Sequence, residues 1–178
     1  MNKNFNIEQF LDLSGYATDE RVSRRKNSDI NSNEFFTPYS IIKVMCDKIS
    51  EEDWSDPEKT FCEPCAGNYQ FVVYILWKRL MYNIDWRAAL KTLYSVELME
   101  DNVKEGKSRL LSLLSQMDLP DYNKKEALEI INENNVCHDF FTWNFEEWRE
   151  YTQAELDHLK KQKNKPHHND GIVQEALF

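Results

Sequence analysis

The stretch Thr60-Phe61-Cys62-Glu63-Pro64-Cys65-Ala66-Gly67-Asn68-Tyr69-Gln70-Phe71 most narrows the folds open to this chain. A short apolar segment ends in an acid and a proline and turns at a glycine. It then runs into the apolar series Phe71-Val72-Val73-Tyr74-Ile75-Leu76-Trp77. Strand, tight turn and helix in that order are the unit from which α/β sheets build a nucleotide pocket. The strand stops, the turn brings backbone close to a ligand, and the helix start offers N–H groups without intrahelical partners. One glycine turn is weak evidence alone, but the rest of the chain repeats the arrangement.

Leu93-Tyr94-Ser95-Val96-Glu97 reads as a second strand, also closing with an acid. A long helix follows from about Met99 to Met117, with Val103, Leu110, Leu111 and Leu114 inward, until Pro120 stops it. A helical piece, Lys124 to Asn132, leads to a third strand at Asn135 to His138, and Asp139 follows it. Strands separated by crossovers of roughly twenty to forty residues predict a parallel sheet wrapped by helices. All three strands end in an acid at the carboxyl edge, where such sheets bind ligands.

Upstream, Ile7 to Leu13 predicts a short amphipathic helix ending at Gly15, followed by about twenty polar, irregular residues. Thr37 then fits an N-cap with Pro38 at the first helical position, and Ile41, Ile42, Met45 and Ile49 fall on one inward face. Ser50 to Lys59 reads as a loop, Gln70 to Tyr82 as a helix and Asp85 to Leu90 as a helical turn. Glu146 to Lys163 reads as one charged helix, with Phe141 and Trp143 as core beneath it. The organisation expected is an N-terminal helix and polar segment (1–33), one α/β domain (34–163) and a flexible tail (164–178).

At 178 residues a single sizeable core is expected. No apolar run approaches a membrane span and the amino end is no signal peptide, so a cytoplasmic protein with no membrane contact is expected. A net charge of -9 argues against broad attraction to nucleic acid, although Arg21, Arg24, Arg25 and Lys26, and Lys160, Lys161, Lys163 and Lys165, form basic clusters. Cys62 and Cys65 have the spacing of redox and zinc sites, with Cys137-His138 as further candidates. Adjacent residues on a strand point to opposite faces, so small buried thiols are the better reading and no metal is assigned.

At the strand ends, Gly67 allows close approach of backbone to a ligand, while Glu63 faces an ammonium or fixes its own loop. Glu97 is placed to bind two ribose hydroxyls, or alternatively to cap the next helix. Asp139 can accept from an exocyclic amine with Phe140 stacked on an adenine ring.

With these residues in place, the chain resembles the S-adenosylmethionine-binding half of the adenine-N6 DNA methyltransferases, in particular modification subunits of restriction systems and short phage relatives. Phe36-Thr37-Pro38 resembles the family's aromatic-Thr-Pro motif beside the methionine end of the cofactor. Glu63-Pro64-Cys65-Ala66-Gly67-Asn68-Tyr69-Gln70-Phe71 resembles its Asp-Pro-x-x-Gly-x-Gly-x-Phe cofactor loop. Val96-Glu97-Leu98 resembles the ribose-binding strand, and Cys137-His138-Asp139-Phe140-Phe141 the strand whose Asp meets the cofactor's adenine. The resemblance implies a partial Rossmann-like methyltransferase fold, S-adenosylmethionine as cofactor and methylation of adenine in DNA. It implies the host cytoplasm if a phage encodes the chain.

Two departures carry expectations of their own. Tyr69 stands where the family has a second glycine, so its side chain is expected to crowd the cofactor or change the turn. No Pro-Pro dipeptide occurs, so the family's base-gripping motif has no counterpart, no catalytic residue is assigned, and activity would need a partner. Three strands make half of a doubly wound sheet and leave the first strand as an edge, open to another protein, a second copy or the tail. Gln174, Leu177 and Phe178 resemble the Gln-x-x-Leu-Phe peptides that dock into bacterial sliding clamps. The alternatives are a catalytically inactive interaction module, serving a sliding clamp or restriction complex, and a nucleotide-binding dehydrogenase.

Overall fold

A computed structural model describes residues 5–11 and 36–163. They fall in two compact units that divide between Phe140 and Phe141. The expected helix at Ile7 to Leu13 is instead a single 3-10 turn, Ile7–Phe10, capped by the Asn6 side chain. Residues 12–35, and the tail 164–178 with the clamp-like peptide at Gln174, Leu177 and Phe178, lie outside the described residues.

The first unit is α/β, a three-stranded parallel sheet flanked by helices, with strand order β1-β2-β3. Its strands are β1 (Phe61–Glu63), β2 (Leu93–Glu97) and β3 (Asn135–Cys137). Phe61 pairs with Leu93, and Ser95 and Glu97 pair with Asn135 and Cys137. Helices α1 (Tyr39–Cys46) and α2 (Glu51–Ser55) precede β1, α3 (Gln70–Met81) and α4 (Trp86–Lys91) join β1 to β2, and α5 (Glu100–Gln116) and α6 (Lys124–Asn134) join β2 to β3. The architecture is compatible with a Rossmann-like fold. Among the described residues, no strand pairs with the outer side of β1.

β2 is buried on both faces through Leu93, Ser95 and Val96, as a central parallel strand should be. Its buried serine is satisfied, because Ser95 Oγ donates to Asn135 Oδ1 at 2.7 Å. α3 is apolar around most of its circumference, and Val72, Val73, Leu76 and Leu80 are wholly buried. From α5, Val103, Leu110, Leu113 and Leu114 enter the core, while Leu111 is only partly buried.

Several local expectations are corrected. Pro38 is itself the N-cap and makes no side-chain cap bond, so Thr37 does not cap α1. That helix buries Ile42 and Cys46 but leaves Ile41, Val44 and Met45 exposed. The 50–59 stretch is not all loop. Ser50 accepts from Asp53 N at 3.0 Å and starts α2, which buries Trp54 in a stack on Phe61 with ring centres 5.0 Å apart.

The second unit replaces the front of the expected 146–163 helix with a hairpin, β4 (Trp143–Asn144) against β5 (Arg149–Glu150). Asn144 Oδ1 accepts from Glu146 N and Glu147 N, an alternative that removes those residues from any helix. Helix α7 (Gln153–Lys163) starts at a capping box between Thr152 and Glu155. Trp143 is buried, as expected, but Phe141 is exposed. No described helix is long and apolar enough to cross a membrane.

Candidate functional site at the carboxyl edge

Parallel strands deliver their last residues to one edge, and the loop after β1 folds across that edge. Ala66 N donates to Val96 O at 3.0 Å, which lays the glycine turn over the end of β2. Gly67 sits at φ 53, in the left-handed region. A Cβ on it would meet the Phe36 ring at 3.2 Å, so a larger residue would be strained in conformation and would press on that ring. Phe36, buried beneath this turn, is thereby brought to the loop, with Thr37 and Pro38 half-buried beside it in sequence.

Glu97 is the hub of the edge. Its Oε2 accepts from Gly67 N at 2.7 Å, and its Oε1 accepts from Met99 N at 2.8 Å and from Asn102 Nδ2 at 3.4 Å. The carboxylate thus fastens the glycine turn to the start of α5. It is 9% exposed and still borders open surface. A carboxylate has about four lone-pair sites, so three such bonds leave capacity for a ligand hydroxyl. The same negative charge on the loop amide disfavours a phosphate there.

Glu63 fixes its own loop by accepting from Cys65 N at 3.2 Å. Burial pushes its carboxyl above the ordinary carboxylate range, against the smaller opposing pull of that amide. Pro64 is half-buried in the same turn. On the far side, His138 N donates to Glu97 O at 2.9 Å and extends the ladder one residue past β3, just before Asp139 and Phe140. Asp139 is exposed and Phe140 is 40% exposed. Leu98, directly after Glu97, is 56% exposed. It was not singled out in sequence, although an apolar residue following an acid at a strand end is a readable signal.

Tyr69 does not crowd the edge. It adopts φ 69, in the left-handed region that favours glycine, yet its side chain is fully buried. The ring packs on α5 at Gly106, where an added Cβ would lie 2.1 Å from the ring. Its hydroxyl lies near Ser95 without meeting hydrogen-bond geometry, and burial pushes the phenol well above its usual range. One face of α5 therefore shapes the loop. Asn102 reaches Glu97, Glu105 accepts from Asn68 Nδ2 at 3.3 Å, Gly106 seats Tyr69, and Arg109 donates to Asn68 O at 2.5 Å. Their spacing is that of one helical stripe.

Cys62, Cys65 and Cys137 are exposed rather than buried, whereas Cys46 is buried. Among the described residues no group of three or more His, Cys, Asp or Glu side chains is arranged to hold a metal ion. A cavity of about 450 Å³ lies at the other end of the sheet, bordered by Leu80, Ile84, Asp85, Trp86, Asp118 and Leu119. Its polar groups serve the fold. Asp85 caps α4 and Trp86 Nε1 donates to Pro120 O at 3.3 Å. Comparison with protein-family models, curated proteins and solved structures finds no match.

Proposed function

We propose that the carboxyl edge binds S-adenosylmethionine and that the chain is the cofactor-binding part of an adenine-N6 DNA methyltransferase whose base grip comes from another polypeptide. The observation that carries this reading is the Glu97 carboxylate seated on the Gly67 amide. It supplies an acceptor for a ribose hydroxyl at the end of β2 and sets negative charge where a dinucleotide would need to place pyrophosphate. A nucleoside cofactor without phosphate and with positive charge suits that edge; a nicotinamide dinucleotide does not.

In this reading the free lone pair of Glu97 accepts from a ribose hydroxyl, and Asp139 accepts from the exocyclic amine. Leu98 and Phe140, exposed at neighbouring strand ends, cover the two faces of the adenine ring. Phe36, Thr37, Glu63 and Pro64 bound the end near the glycine turn. When bound, the cofactor supplies an electrophilic methyl group, and the protein contributes position rather than a covalent intermediate.

A second reading, a catalytically inactive interaction module, is favoured by the unpaired side of β1 and the exposed Ile41, Val44 and Met45 on α1. Calorimetric titration of the full chain with S-adenosylmethionine and with NAD⁺, repeated on Glu97→Ala, tests the choice. Affinity on the order of micromolar for S-adenosylmethionine alone, lost in the variant, is expected. No binding of S-adenosylmethionine at millimolar concentration overturns the cofactor reading. Transfer of labelled methyl to DNA then separates an enzyme from a module.

A further inference from the structure

We infer that Arg109 is a positioning residue that makes binding at the glycine turn depend on docking of the N-terminal turn Ile7–Phe10. This rests on the reading that the turn binds S-adenosylmethionine, and it adds a control element to that site. Arg109 stands on the face of α5 that shapes the loop. Its Nη1 donates to Asn68 O at 2.5 Å, and its Nη2 donates to Gln70 Oε1 at 2.7 Å and to Phe10 O. One planar cation therefore joins the glycine turn, the first residue of α3 and a segment about one hundred residues away in sequence.

Asn68 lies between two residues in the left-handed region, Gly67 at φ 53 and Tyr69 at φ 69. A tyrosine does not keep that conformation without support. The Asn68 carbonyl belongs to the 68–69 peptide, so Arg109 fixes the plane that enters Tyr69 at φ 69, and Glu97 holds the Gly67 amide two peptides upstream in the same tight turn. The third acceptor, Phe10 O, is in place only when the N-terminal turn is seated. Ile7 and Leu11 anchor it in the core, and the Phe5 and Phe10 rings lie 5.1 Å apart. Undocking the turn exposes the guanidinium to water and loosens its hold on the loop.

The test compares the full chain with Arg109→Gln, Arg109→Lys, Ile7→Ala and the Ile7→Ala/Arg109→Gln double variant. It reads amide hydrogen exchange over residues 66–72 and the affinity for S-adenosylmethionine. Arg109→Gln is expected to weaken binding about tenfold or more, since it removes charge-assisted bonds, and to speed loop exchange. Arg109→Lys restores part of both. Ile7→Ala speeds loop exchange in the native background and adds nothing once Arg109 is replaced. Equal effects of Ile7→Ala in both backgrounds, or none in either, would overturn the coupling. If the native chain binds no S-adenosylmethionine but the exchange pattern holds, the cofactor reading fails and the coupling stands. If it binds and Arg109→Gln changes neither readout, the positioning role fails alone.

Discussion

At the carboxyl edge of the sheet Glu97 accepts from Gly67 N and Met99 N; at the amino edge Arg79 donates to Asp56 O at 2.6 Å, Pro57 O at 3.2 Å and Thr92 Oγ1 at 3.2 Å. Each is a charged side chain that ties loops to the ends of strands, with no oppositely charged side chain on those bonds. They differ in what lies beyond them. Arg79 is 1% exposed and packs over the Phe61 ring at 5.2 Å, so all it can touch is the protein. Burial pulls its pKa down, yet an arginine stays protonated, and the carbonyls are what make that burial tolerable. Glu97 borders solvent beside the exposed Leu98. A sealed charge serves the fold, whereas a charge with one side open can serve the fold and a ligand together.

The largest effect is expected from Arg79→Met, which leaves buried carbonyls without donors. A loss of about 3 kcal/mol or more follows. For a chain of this size that lowers the melting temperature by roughly 6–12 °C. Affinity for S-adenosylmethionine should not change in the fraction that stays folded. A melting curve shifted no more than by a surface substitution would remove the contrast between the edges.

Gly106→Ala comes next, because its Cβ would meet the Tyr69 ring at 2.1 to 2.5 Å. The overpacking is expected to cost about 1–3 kcal/mol in urea denaturation. In a Tyr69→Gly background the same substitution should become neutral or slightly favourable, since alanine suits a helix better. Equal costs in both backgrounds would show that Tyr69 is not what occupies the space beside Gly106.

Glu97→Gln sharpens the comparison at the open edge. The amide keeps one acceptor and turns an N–H₂ toward a donor, a stability loss of about 1 kcal/mol. Affinity for S-adenosylmethionine should fall by more than about tenfold, a larger free-energy change than the loss in stability. Parallel melting and titration check this, and equal losses would make Glu97 a structural charge like Arg79.

The parallel sheet was legible because each strand–helix unit carries its own local pattern, and Glu97 because it closes a strand. Arg79 was not legible, because an arginine in the last turn of a helix reads as solvated until the 53–57 segment folds over it. Nor was the inward turn of Tyr69, which depends on Gly106 thirty-seven residues later. The exposed faces of α1 failed for a related reason. Periodicity shows which residues share a face, but both Ile41 and Ile42 fit an apolar stripe, and only packing chose Ile42. The hairpin at Trp143–Glu150 was hidden by charge, since Glu146 and Glu147 suit a helix start until Asn144 takes their N–H groups.

The smallest effect concerns Glu63, at the carboxyl edge but held by one amide. Burial raises its folded pKa above its unfolded value, so the native chain binds that proton more tightly. Stability therefore falls as pH rises from the ordinary carboxylate range through the raised native value, and the cost is fully present above it. Glu155 in the second unit has the opposite sign. Arg149 pulls its pKa down to about 2, so its contribution is present above the ordinary carboxylate range and lost as pH falls toward 2. Glu63→Gln keeps an oxygen for Cys65 N and removes the buried charge. The variant should be slightly more stable than the native chain at neutral pH, with the advantage vanishing as pH falls through the native pKa of Glu63. Urea midpoints of both proteins across that interval measure it. A constant difference would mean that Glu63 meets enough water to count, like Glu97, among the open charges of this edge.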